Sequence, residues 1–356
     1  MSEAPDAARP TDGPIDAVAQ FELERKSPLR RLQHTLHHYP TIVPFVVLAV
    51  GLVIFSFVVG GRFFAPFNLS LIMAQVTVIA IIGVAQTLVI LTAGIDLSVG
   101  AIMILSSIIM GKLSVQAGVP VPAAFMLGLA AGAACGAING LIVTYLRLPP
   151  FIVTLGTWNV FGATFLWYSA SQTIRAQEVA AEAPFLQLAG TAWQIGGARL
   201  TLGTLIALAV AAAVWFLLNR TPFGRHVYAT GDDPEAARLS GINTRRVLFA
   251  VYTLAGLICG IGAWVLIGRI GGISPTSGGT TNLDSITAAV IGGTSLFGGK
   301  GKIIWTFFGV LFFVLLSNTL NLMNLSTFHI DMVKGGVILM AALLDVVRTR
   351  LLRAAT

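Results

Sequence analysis

The sequence predicts an all-α polytopic membrane protein of about ten transmembrane helices, since each helical crossing of hydrocarbon takes roughly 20 mainly apolar residues. Three observations carry this. The 356-residue chain is 56% hydrophobic and 10% charged, with a mean hydropathy of +0.85, which no soluble domain of that length could cover. The apolar residues fall in long runs, and lipid offers backbone groups no partners, so each run must close its hydrogen bonds as helix. The basic residues gather in alternate connections between the runs, the pattern that retention of Lys and Arg on the inner face produces.

Residues 1–39 are polar, acidic at first and then basic through Arg25, Lys26, Arg30 and Arg31. They are too long and too wet for a signal peptide and read as a cytoplasmic tail, disordered to residue 23, interfacial through 29–32, and followed by an uncleaved first span. The apolar runs centre near Val50, Ala80, Ile104, Ala131, Val160, Ala209, Leu257, Ile291, Phe312 and Ile338. The third (97–111) and the eighth (284–298) are short and bear glycine. With the N-terminus placed inside, sixteen of the 22 Lys and Arg residues fall on inner segments, five (Arg62, Lys112, Arg175, Arg199, Arg269) on outer ones, and Lys334 within the last span. That asymmetry predicts a transmembrane region over 40–348, both termini in the cytoplasm, and a short inner tail at 349–356.

The net charge of +7 does not point to nucleic acid, because the basic residues border spans instead of forming a stripe interleaved with aromatics. Cys135 and Cys259 lie inside spans, and His34, His37, His38, His226 and His329 have no partners at ligand spacing, so neither a disulfide framework nor a metal site is expected.

In the fourth run Gly128, Gly132, Gly136 and Gly140 recur every four residues, on one helix face, where another backbone can approach closely. Two readings fit, packing within the chain or a subunit interface. The outer segment at 169–199 is long for a simple connection, which suits a lid, a partner surface or an interfacial helix. A second outer segment, 271–283, is rich in Gly, Ser, Thr and Pro and should be irregular backbone. A weak two-fold echo at an offset of 188 residues pairs Asp96 with Asp284, Ala101 with Ala289, Ser107 with Ser295 and Gly111 with Gly299. Paired short or interrupted spans are what a repeat-built transporter tends to show near its pathway.

The wettest stretch is 219–246, a cytoplasmic loop with five arginines and three carboxylates. Inside it Asp233 can cap the first amides of a helix, Pro234 fits its first position, Glu235 complements its positive end, and Gly241 supplies a left-handed stop. Two turns of helix are not stable alone in water, so this piece must pack on something, its own protein or a partner.

Glu235, Ala236, Ala237 and Gly241 resemble the EAA loop of binding-protein-dependent ABC importer permeases. Four blocks, 92–100 (TAGIDLSVG), 148–156 (LPPFIVTLG), 221–242 (TPFGRHVYATGDDPEAARLSGI) and 283–301 (LDSITAAVIGGTSLFGGKG), are similar to the ribose, xylose and fructose branch of sugar permeases, a likeness running from residue 40 to 347. The tail before Arg25 lies outside it, and Phe161-Gly162 stand where relatives often place an Arg near a Gly. The resemblance implies an inner-membrane, multi-pass transport subunit, not an enzyme, that pairs with a second copy. It also implies an ATPase with two nucleotide-binding halves gripping 232–241, and a periplasmic binding protein delivering a monosaccharide. The chain itself holds no phosphate loop, since in 293–301 (GTSLFGGKG) neither Lys300 nor Lys302 is followed by Ser or Thr. ATP and Mg are therefore expected on the partner, with no cofactor here.

Intramembrane ionisable groups need a reason. Asp96 and Asp284 read as helix caps, and Asp331 with Lys334 as a one-face pair; Asp96 also suits a sugar route or a hinge where the helix breaks. A neutral sugar asks for amides, hydroxyls and an aromatic face. Gln75, Gln86, Asn139, Asn159, Ser317, Asn318 and Asn321 are polar groups inside spans, with Trp158, Trp167 and Tyr168 as stacking surfaces. Asp96, Trp158, Asn159 and Asn318 are selected as the route. A permease for nucleosides, branched-chain amino acids or a signalling furanose could reuse this architecture, and an ion-coupled secondary transporter would use Asp96, Asp331 and Lys334. An intramembrane enzyme is disfavoured by the lack of paired catalytic carboxylates or an HExxH motif.

Overall fold

The computed structural model describes residues 42–354. The expected tail at 1–39, its basic piece at 29–32 and His34, His37 and His38 lie outside the described residues. Fourteen α-helices and one two-stranded sheet are present among them.

Three helices open the chain: α1 (Ile42–Val59), α2 (Pro66–Leu91) and α3 (Val99–Gly111), the last prolonged by a π-helical turn, Lys112–Gln116. Next come α4 (Val121–Tyr145) and α5 (Pro150–Ser169). The segment after α5 holds two short helices, α6 (Ala176–Glu182) and α7 (Pro184–Gln187), and a hairpin of β1 (Ala192–Ile195) with β2 (Ala198–Thr201). Then follow α8 (Leu202–Arg220), α9 (Pro222–Asp232), α10 (Pro234–Leu239) and α11 (Thr244–Ile270). The last three are α12 (Thr281–Ile291), α13 (Ile303–Leu322) and α14 (Thr327–Ala354). Proline opens α2, α5, α9 and α10, where its missing N–H is no loss.

Seven helices among the described residues are long and apolar enough to cross a membrane: α1, α2, α3 with its π turn, α4, α8, α11 and α13. Of the other three expected spans, α5 has the length but carries Thr154, Thr157, Trp158 and Asn159, and α14 carries Asp331 and Lys334. The eighth is corrected. Helix occupies only the 11 residues of α12, a rise of about 16 Å, and 292–302 leave the helix because Gly293, Gly298 and Gly299 take positive φ. The echo at 188 residues does not superpose the helix starts either: Asp96 precedes α3, whereas Asp284 lies in the first turn of α12.

The core is built on α4 against α11. A Cβ on Gly132 would stand 2.6 Å from the Gly256 carbonyl, one on Gly136 would strike the Tyr252 carbonyl, and one on Gly140 would crowd Phe249, while Gly128 faces Met110 of α3. The glycine column thus packs within the chain, its missing side chains letting two backbones touch.

Contacts sort the connections onto two ends. At one end, the basic end, Arg147 and Arg245 share a cleft with Thr92, and Gly299 abuts Asp232. At the far end Ile174 pairs with Ile273, Ile273 presses on Gly111, and Gly197 of the hairpin lies over Pro66. The Gly-rich segment after α11 then descends beside α3, with Gly278 against Ile104 and Asn282 against Gly100.

Candidate functional site

Two arrangements concentrate the polar chemistry, one at the basic end and one between α2 and α3. At the basic end a single residue, Asp233, joins α9 to α10. Its Oδ1 accepts from the amides of Glu235 at 2.9 Å and Ala236 at 3.0 Å, the capping that its residue type allows. Gly241 ends the turn at φ +85°. Arg238 pairs with Glu235 at 2.6 Å, but both side chains are about two-thirds exposed, so the pair is worth at most about 0.5 kcal/mol. Only Ala237 is buried; Glu235, Ala236 and Leu239 face outward, Leu239 with 79% of its surface exposed.

This element stands on a rigid footing. Gly231 of α9 abuts the Leu91 carbonyl that ends α2, and Gly224 abuts the Leu218 carbonyl in α8. The Gly299 amide donates to that same Leu91 carbonyl at 3.0 Å. Tyr228 Oη donates to the Gly301 carbonyl at 2.8 Å, and burial pushes its phenol up, so it stays protonated as a donor.

Directly after Leu91 the chain leaves the helix for 92–98, with Ala93 at φ +58°. The amides of Thr92, Ala93 and Gly94 still reach back to the Val89 and Ile90 carbonyls, and side chains serve the backbone of residues 95–98. Asp96, 1% exposed, accepts through Oδ1 from the Ser98 amide at 2.7 Å and from Ser98 Oγ at 2.6 Å. Asn139 of α4 donates to Ser98 Oγ at 2.8 Å, Thr154 of α5 to the Ile95 carbonyl at 2.9 Å, and Asn282 of α12 to the Leu97 carbonyl at 3.2 Å. The Gln86 amide, turned with its nitrogen toward the Asp96 carbonyl (3.0 Å) and its oxygen toward the Asp96 amide (3.3 Å), closes the set. Four helices thus tie down one interruption that is buried in protein, as irregular backbone must be wherever lipid surrounds a fold. A cleft of about 370 Å³ lies beside it at the basic end, between Thr92, Gly94, Arg147, Arg245 and Tyr252.

The four residues selected for the route are spread apart. Asp96 lies in the interruption. Asn318 of α13 is buried and exchanges two hydrogen bonds with Asn68 of α2, at 3.1 and 2.8 Å. Trp158 and Asn159 are on the open flank of α5, with Asn159 donating to Leu155 of its own helix. No hydrogen bond or ring contact joins any two of the four among the described residues. The expected pairing of Lys334 with Asp331 is also corrected: Lys334 reaches Asp284 of α12 at 3.9 Å, with both side chains over four-fifths buried, while Asp331 is exposed. Burial decides that choice, since an uncompensated carboxylate on α12 would be the costlier one. Thr154 and Asn282 were not visible as site residues, although each falls in or beside a block that carries the resemblance.

A family model described as the permease component of a branched-chain amino acid transport system matches residues 68–342. The chain is 48% identical to the fructose import permease protein of Rhizobium meliloti over 353 residues, 97% of this chain and 98% of that one. It is 40% identical to the ribose import permease protein of Bacillus subtilis, covering 85% of this chain and 91% of that one. With the D-allose transport system permease protein of Escherichia coli the identity is 35%, over 85% and 90% of the two chains. No solved structure matches.

Proposed function

The chain belongs to this permease family, in company with its sugar importers, and on that premise we propose that it is the membrane-spanning subunit of an ATP-driven monosaccharide importer in the inner membrane. The single observation that carries the mechanism is the exposed helix α10, capped at both ends and fixed through α9 to the end of α2. Its outward face of Glu235, Ala236 and Leu239 is the surface for a separate ATPase subunit, on which ATP and Mg are bound. Closure of that subunit moves α10 and α9 as one body, and Leu91 passes the movement to the 92–98 interruption. A periplasmic binding protein delivers sugar to the far end. Two copies form the route between them, with Trp158 and Asn159 on the open flank of α5 offering a stacking face and an amide. Fructose is the first sugar to test, given 48% identity over nearly the whole chain to a fructose permease, and ribose the second.

The test is uptake of labelled fructose into proteoliposomes holding this chain, its ATPase and its binding protein. Uptake should require ATP and all three components. Uptake that persists without the ATPase and collapses with the proton gradient would replace this reading by ion coupling.

A further inference from the structure

At the far end a crevice of about 430 Å³ lies between the start of α2, strand β2 and the end of α11. One wall is apolar. Phe67 and Leu71, four residues apart on one face of α2, are 75% and 44% exposed, and Ile270 is 44% exposed. On a span of this hydropathy such a face meets acyl chains. The other wall carries two guanidinium groups, Arg199 from β2 and Arg269 from α11. Among the described residues no carboxylate lines the crevice, and the ion pairs are Glu235 with Arg238 and Asp284 with Lys334, so none of these residues neutralises either arginine. The Arg199 amide donates to Ser70 Oγ at 2.8 Å, which fixes β2 to α2. Trp193 and Ile195 of the same hairpin are 48% and 62% exposed, the character of side chains seated among headgroups.

We propose that this crevice binds an anionic phospholipid of the far-end leaflet. The phosphate sits between Arg199 and Arg269, whose planar forks match phosphate oxygens, and the acyl chains lie along Phe67 and Leu71. A free phosphate uses one wall only, and a zwitterionic headgroup brings a cation of its own beside the two arginines, cancelling the attraction of its phosphate. Bound there, the lipid braces the hairpin against the ends of two spans.

The experiment is lipid titration of the full chain, purified in neutral detergent and read by native mass spectrometry. Phosphatidylglycerol should bind about thirtyfold more tightly than phosphatidylcholine, the factor expected when two arginines, at about 1 kcal/mol each, face a net negative headgroup in place of one with no net charge. Arg199→Gln with Arg269→Gln should erase that preference, while Arg199→Lys with Arg269→Lys should keep most of it. Inorganic phosphate at the same concentration should not compete. Equal binding of the two lipids by the unaltered chain overturns the proposal, whatever the variants do. So does displacement by phosphate alone, or a glutamine variant that keeps its lipid preference and loses capture of the binding protein, which would make this a protein-docking surface.

Discussion

Asp96 is held through its oxygen, with two donors from Ser98 converging on Oδ1, and that arrangement separates a structural carboxylate from a coupling one. An asparagine presents the same acceptor without the charge, whereas an alanine leaves the Ser98 amide without its partner. Asp96→Ala should therefore cost about 1–3 kcal/mol, the usual penalty for orphaning buried donors, seen as a lower melting temperature of the purified chain. Asp96→Asn should melt close to the unaltered protein and keep most of its uptake. If Asp96→Asn folds normally yet abolishes transport, the negative charge itself is needed and the ion-coupled reading regains ground. The sequence made Asp96 conspicuous because an acid in an apolar run is costly. Its surroundings were not legible, since the Thr154 hydroxyl meets the Ile95 carbonyl across 59 residues and the Asn282 amide meets the Leu97 carbonyl across 185. Threonines and amides on a helix look alike until the fold says which faces meet.

At the scale of elements, α9 with α10 is a lever whose fulcrum is the contact of α9 with Leu91 and 298–301. Tyr228→Phe keeps the ring and removes only the donor to the Gly301 carbonyl, a loss of about 1 kcal/mol. In the proposed complex this should lower sugar taken up per ATP hydrolysed by about fivefold, with the ATPase still bound. Glu235→Lys should instead act at the outward face, reducing co-purification of the ATPase while lowering the melting temperature only slightly, because the side chain is exposed and its pair with Arg238 is weak. The pairing of α4 with α11 is equally specific: Gly136→Ala drives a methyl into the Tyr252 carbonyl, and such overpacking costs about 1–3 kcal/mol, again read as melting temperature. The 233–241 helix was legible residue by residue because its cap, first-turn proline and glycine stop act locally. The partner of the glycine column was not, since four-residue spacing marks a close approach without saying to what. Nor was the brevity of α12, where an apolar run continues past the helix through glycines whose positive φ a hydropathy pattern does not register.

For the whole molecule, the question is whether the chain between α11 and α13 crosses the membrane. Ile273 is tied to Ile174 at the far end, while the Gly299 amide is bonded to Leu91 at the basic end, so the segment runs from one end to the other. The helix alone cannot do this, for α12 rises about 16 Å through a hydrocarbon core of about 30 Å. The remainder is covered by irregular backbone on either side, which lipid would not tolerate bare. It is sheltered: Gly278 lies on Ile104, Gly292 on the Trp305 carbonyl, and Asn282, Ser285, Thr287, Ala288 and Ala289 of α12 are buried. The geometry therefore predicts that a cysteine placed at Ser274 and one placed at Lys300 react with a membrane-impermeant maleimide from opposite sides. Cys135 and Cys259 are both buried and should give a quiet background in sealed vesicles of either orientation. Labelling of both positions from one side would make the segment a re-entrant loop, reverse the expected side of α13, and carry the ends of α2 and α9, to which Gly299 is bound, across with it.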